Sequence, residues 1–150
     1  MLKSLSNIIE KTNYYLSLSS FIPNFIARLY LAQIFFDSGI SKLANWSSTL
    51  FLFQYEYHVP LLNHVVAACL SVFIELGGSV LLVIGLGTRY AALVMLAFTF
   101  VMKISYSEVE EVDYWMIIFT LLAVYGGDKL SFDYLIKENI LSKFFGKKKG

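Results

Sequence analysis

Long apolar stretches with few polar interruptions organise most of the chain. They run over residues 22–43, 61–86, 88–106 and 112–126. None alternates with a period of two along its length, so each predicts a helix and not a strand. A bilayer-crossing helix needs about 20 mostly apolar residues. The first three stretches meet that length. The fourth approaches it, so it should stand upright or borrow flanking residues. Ahead of them Leu2, Leu5, Ile8, Ile9, Thr12, Tyr15 and Leu16 recur at helical spacing. That spacing predicts an amphipathic helix on the membrane surface within residues 1–20. Glu10, Lys11 and Asn13 interrupt any apolar run there, which argues against a signal peptide.

The connections differ in character. Gly85-Leu86-Gly87 permits a tight turn between the second and third helices. Residues 44–60 are rich in aromatics, with Trp46, Phe51, Phe53, Tyr55 and Tyr57, and predict an interfacial or re-entrant cap. Pro60 should open the second helix, because proline suits a first helical turn. The stretch "SYSEVEEVDYW" is acidic and ends in Tyr114 and Trp115, an interface-belt signal. Three segments follow: a surface segment over 1–20, a membrane domain over 21–133 and a basic tail over 134–150. Lys3, Lys11, Arg89, Lys129, Lys137, Lys143, Lys147, Lys148 and Lys149 fall on one side of a four-crossing layout, against Lys42 and Lys103 on the other. The excess of basic residues places both termini and the Arg89 turn in the cytoplasm.

Composition agrees with this pattern. The chain has 150 residues, 57% of them hydrophobic and 15% charged, with a mean hydropathy of +0.65. Soluble domains carry about 25% charge, so the apolar excess calls for the bilayer as a partner. A net charge of +1 offers nothing to nucleic acid. Cys69 is the single cysteine, which excludes an intrachain disulfide and a Cys-x-x-Cys redox pair. With only His58 and His64 beside it, neither a resident metal nor a haem is expected. Glu56, His58 and His64 make at most a weak metal pattern. Cys69 is expected to be a small packing residue.

The charges inside the helices then stand out. Glu75 sits mid-helix, and no other acidic or basic side chain lies between His64 and Arg89. Intramembrane ionisable groups are expensive, face the bundle interior and mark functional sites by default. At about 100° per residue, Arg28, Ala32, Phe35, Gly39 and Lys42 fall on one face of the first helix. Asp37 lies on the opposite face with Gln33 and Ser41. Ser71, Glu75, Gly78 and Leu82 share a stripe of the second helix. Glycines on both faces allow close approach. Depth matching predicts a polar cluster of Lys42, Glu75 and Lys103 beneath the aromatic cap, with Arg28 and Arg89 nearer the cytoplasmic face. A bland alternative stands beside it: Lys42 and Lys103 snorkel to the headgroups, and Glu75 only locks two helices together. Gly77-Gly78 reads as a packing device. "GLGTRY" lacks the third glycine and the preceding strand of a dinucleotide fingerprint.

These residues carry a resemblance. "RLYLAQIFFDSGISKL" (28–43) and "ELGGSVLLVIGLGTRYAAL" (75–93) are similar to the two signatures of the DoxX family of small membrane proteins. "GGDKLSFD" (126–133) resembles its closing motif, with Gly127 where the family often has proline. Arg28, Ser38, Gly39, Lys42, Glu75, Gly78, Gly85, Thr88, Arg89 and Ser131 match the pattern, whereas Asp37 does not belong to it. The resemblance implies an all-α four-helix bundle in the inner membrane, associated with redox systems. Some members belong to a thiosulfate:quinone oxidoreductase.

Three functions remain open at this point. The first is a quinone-interacting subunit of an oxidoreductase. There Lys42 donates to a quinone oxygen, Glu75 exchanges protons, and Arg28, Ser38, Gly39, Trp46, Gly78 and Lys103 line the ligand. Gly85, Gly87, Thr88 and Arg89 form the structural turn. This chain carries no recognisable redox centre, so electrons must come from a partner or a substrate. The second is a non-enzymatic scaffold that docks a protein partner or another copy. The third is a small proton or solute carrier.

Overall fold

In the computed structural model, the residues described are 10–11, 21–57, 62–105, 111–127 and 131–137. All regular structure among them is helical. Five longer helices follow in order, α1 (Phe21–Ala44), α2 (Trp46–Tyr55), α3 (His64–Ile84), α4 (Thr88–Ser105) and α5 (Val112–Tyr125), and residues 132–137 are also helical. Of the surface helix expected over 1–20, only Glu10 and Lys11 are described, and both are helical. The rest of it lies outside the described residues, as do His58, Pro60, Lys129 and residues 138–150.

Local chemistry sets the helix ends. α3 begins at His64, because the Asn63 side chain accepts from the Val65 N–H at 3.0 Å and caps the first turn. Leu62 and Asn63, expected inside this helix, therefore precede it. α3 ends at Gly85, whose φ of 72° is the left-handed conformation that favours glycine. The α4 N-terminus is capped from far along the chain. The Asp133 carboxylate accepts from Gly87 N at 2.7 Å and Thr88 N at 2.9 Å. At the same end the Asn24 amide donates to the Gly126 carbonyl at 3.0 Å, tying the start of α1 to the end of α5. The expected cap over 44–60 contains a regular helix, α2. It is joined to α1 by the Thr49 hydroxyl donating to the Lys42 carbonyl at 3.0 Å.

α1 packs chiefly on α3, and α4 packs on α5 and α3. Leu31, Ala32, Phe35, Leu82, Ala92, Met95 and Phe119 form the main core. Phe53 closes a second cluster with Ala67 and Ala68 beneath α2. Large apolar side chains also face outward: Phe73 is 75% exposed and Ile104 66%. Meanwhile Arg28, Ser71, Glu75, Ser79, Thr88 and Thr99 are buried. An apolar outside around a partly polar inside suits lipid as the solvent.

α3 and α4 are long and apolar enough to cross a membrane, and most of each faces outward, unlike the core helix of a soluble protein. α1 is longer, with 24 residues, but carries Arg28, Asp37 and Lys42. α5 has 14 residues, about 21 Å at the helical rise, short of a hydrocarbon core about 30 Å thick.

Candidate functional site

Lys42 and Glu75 meet between α1 and α3. Gly39, one turn before Lys42, makes this possible. A β-carbon there would stand 2.8 Å from Leu76 Cδ2 and 3.4 Å from Glu75 Cβ. With α1 drawn in, Lys42 Nζ forms an ion pair with Glu75 Oε1. It also donates to Ser38 Oγ and to Ser71 Oγ, each at 3.3 Å. An ammonium has three protons, and three acceptors surround this one. Ser71 in turn donates to Glu75 Oε1 at 3.5 Å.

Glu75 is not equally satisfied. Its side chain is 2% exposed against 15% for Lys42, and its second oxygen, Oε2, has no hydrogen-bond partner among the described residues. Buried polar atoms are paired in the great majority of cases, so such an orphan asks for an explanation.

Both side chains line a cavity of about 190 Å³. Its other walls are Ile34, Phe35, Ser38, Tyr57, Phe98, Thr99, Met102, Val112 and Trp115. The Trp115 ring meets Phe35 edge-on at 5.5 Å. The space is below the roughly 300–1,000 Å³ of a pocket for a drug-sized ligand. A dry cavity of about 150 Å³ nevertheless suffices for benzene. The volume is thus enough for one six-membered ring, and Lys42 and Glu75 are among the residues that line it.

The structure separates the residues expected in this site. Lys42, Ser38 and Glu75 line the cavity, and Gly39 sets the helix spacing behind it. Lys103 does not join them. It forms an ion pair with Asp113 at the exposed ends of α4 and α5, with side chains 45% and 60% exposed. That short cross-connection offered a nearer carboxylate in a wetter place than Glu75. Trp46 packs on the Phe53 cluster and does not line the cavity. Gly78 faces Met95 so closely that a β-carbon would collide with its sulfur. It is a packing contact between α3 and α4.

Arg28 lies at the other end of α1. It is fully buried, donates from Nη1 to the Leu82 carbonyl at 3.4 Å and stands 5.5 Å from the Phe25 ring centre. Gly85 lies against it, and a β-carbon there would strike Arg28 and come within 2.9 Å of the Ser131 backbone. With Gly87 at a φ of 60° and the Asp133 cap, this end is a turn assembly. Arg89 closes it from outside through Nη2 to the Tyr125 carbonyl at 3.4 Å.

Four contributors escaped the sequence reading. Trp115 carried only an interface-belt signal, yet it walls the cavity. Phe98 and Thr99 belong to α4, which seemed to bring only Lys103. Asp133 caps α4 from 45 residues away, and its sole signal was its place at the end of the closing motif.

Comparison with known proteins adds the remaining information. No curated protein and no solved structure matches the chain. The family model DoxX matches residues 24–106. That region takes in the Lys42–Glu75 pair and the turn at Gly85, while the closing motif lies beyond it. Because the match spans more than half of the 150 residues, the chain belongs to the DoxX family of membrane proteins.

Proposed function

We propose that this DoxX-family chain crosses the inner membrane four times and serves as a subunit of a redox system. Its quinone site is the Lys42–Glu75 cavity. α1 and α5 complete the count of crossings, since they pack along α3 and α4 respectively. Both termini are cytoplasmic.

The observation that carries this reading is the Lys42–Glu75 pair in the wall of a ring-sized cavity, with Glu75 Oε2 buried and unpartnered among the described residues. A quinone, when bound, accepts two electrons and two protons. Lys42 donates to a carbonyl oxygen by exchanging one of its serine acceptors for it. Glu75 is placed to hold or release a proton at Oε2. Phe35, Phe98 and Trp115 shield the ring from water. Electrons come from a partner subunit or a substrate.

A second reading also has an observation behind it. Lys42 Nζ already has three acceptors within the protein, as a helix lock in a non-catalytic scaffold requires.

The test is quinone binding to the purified protein in lipid nanodiscs, for wild type, Glu75→Gln and Thr99→Leu. The last narrows the cavity and leaves the ion pair intact. Saturable binding that weakens at least tenfold in both variants is expected. A folded wild type that binds no quinone would sink the proposal in favour of the scaffold.

A further inference from the structure

The Lys42–Glu75 site leaves Asp37 unused. Asp37 and Gln33, one turn apart on α1, are both exposed. No hydrogen bond or ion pair engages either side chain among the described residues.

The packing of α1 on α3 sets their depth. Arg28 reaches Leu82, Gly39 abuts Leu76, and Lys42 meets Ser71 and Glu75. The two helices thus run antiparallel, side by side. Asp37 borders the same groove as Ser79 and Val80, inside the ends of α3. If α3 crosses the bilayer, this carboxylate faces hydrocarbon from outside the bundle. Lipid tails offer it no donor, and such a position is strongly disfavoured.

The surrounding surface has a regular pattern. Ile26, Leu29, Gln33, Phe36, Ile40 and Leu43 are all exposed and follow one another at intervals of three and four. That is the spacing of a seam between two helices, in which one polar position specifies register. Asp37 flanks it. A groove of about 480 Å³ beside the seam, floored by Ala32 and Ser79, leaves room for a large side chain.

We propose that this seam is the interface of a symmetric dimer, with α1 of a second copy seated on it about a two-fold axis normal to the bilayer. The seam is self-complementary. A carboxamide both donates and accepts, whereas an ionised carboxylate only accepts. About a two-fold axis, Gln33 of one copy faces its counterpart and donates to Asp37 of the other, and symmetry repeats the contact. Both polar groups leave the lipid together. The dimer rests on the four-crossing placement and not on the quinone reading.

The experiment measures oligomeric state by native mass spectrometry from nanodiscs and by cysteine cross-linking in a Cys69→Ser background. Wild type should be dimeric. Phe36→Cys, on the seam, should form a disulfide between the two copies, and Leu121→Cys, exposed on α5, should not. Gln33→Leu with Asp37→Leu should raise the dimer dissociation constant about tenfold while the melting temperature of the monomer stays unchanged. A monomeric wild type overturns the proposal, even if it captures a different membrane protein. So does a Phe36→Cys variant that cross-links no better than Leu121→Cys, or a dimer indifferent to losing both polar groups. Quinone binding, read separately on the monomeric fraction, distinguishes failure here from failure of the quinone site.

Discussion

At the scale of single residues, Lys42 and Glu75 make the firmest energetic statement. Removing one partner of a buried ion pair leaves a charge with nothing to offset its lost hydration, at about 3–5 kcal/mol. Glu75 is the more buried of the two, so Lys42→Met should destabilise the protein more than Glu75→Gln. Combining them should recover part of the loss, because the double variant leaves no buried charge. Thermal unfolding in one lipid composition checks the order. If the double variant is as unstable as the sum of its parts, the two residues do not act as a pair. This pairing was legible in the sequence because helical pitch alone puts Lys42 with Gly39, and Glu75 with Ser71. Lys103 was not, because its choice of Asp113 depends on how α4 is rotated and how near α5 begins.

At the scale of elements, the turn between α3 and α4 depends on a residue outside it. Asp133 occupies both of the first free N–H groups of that turn. Removing a capping side chain costs about 0.5–2 kcal/mol. Asp133→Ala should therefore lower stability by about that amount, and Asp133→Asn by less, since one amide oxygen still accepts. Gly85→Ala should do more damage, because it combines a left-handed φ with collisions at Arg28 and the Ser131 backbone. Denaturation of the variants in mild detergent gives the ranking. Equal stability of Asp133→Ala and wild type would show that the cap is dispensable. The glycines of this turn were legible as a turn, and Asp133 was not recognisable as their partner. A cap within a few residues leaves a sequence pattern, whereas one brought by tertiary packing leaves none.

At the scale of the whole molecule, the number of crossings decides which faces meet lipid. Four crossings place the C-terminus on the opposite side from the connection between α4 and α5. Two crossings, by α3 and α4 alone, place them on the same side. Reporters fused at the C-terminus and within residues 106–110 separate these cases. A cytoplasmic C-terminal reporter is expected, with an external one in the connection. Two reporters on the same side would refute the four-crossing layout. The helices themselves were nearly complete in the sequence. α1, α3, α4 and α5 begin and end within three residues of the apolar runs, because in such a chain hydropathy and helix formation follow the same residues.

What the sequence by itself determined was the class of molecule: helical, rich in apolar surface, with an acid inside α3 and a base on the matching face of α1. Those features rest on composition and on the fixed pitch of a helix, both local properties of the chain. Tertiary structure decided the rest. It turned the predicted polar cluster into one ion pair within a ring-sized cavity, sent Lys103 to Asp113 and Arg28 to the far end, and brought Trp115 and Asp133 into places no spacing announced. Those outcomes depend on how each helix is rotated against its neighbours. That rotation is set by the summed packing of side chains from several helices, which no one segment encodes.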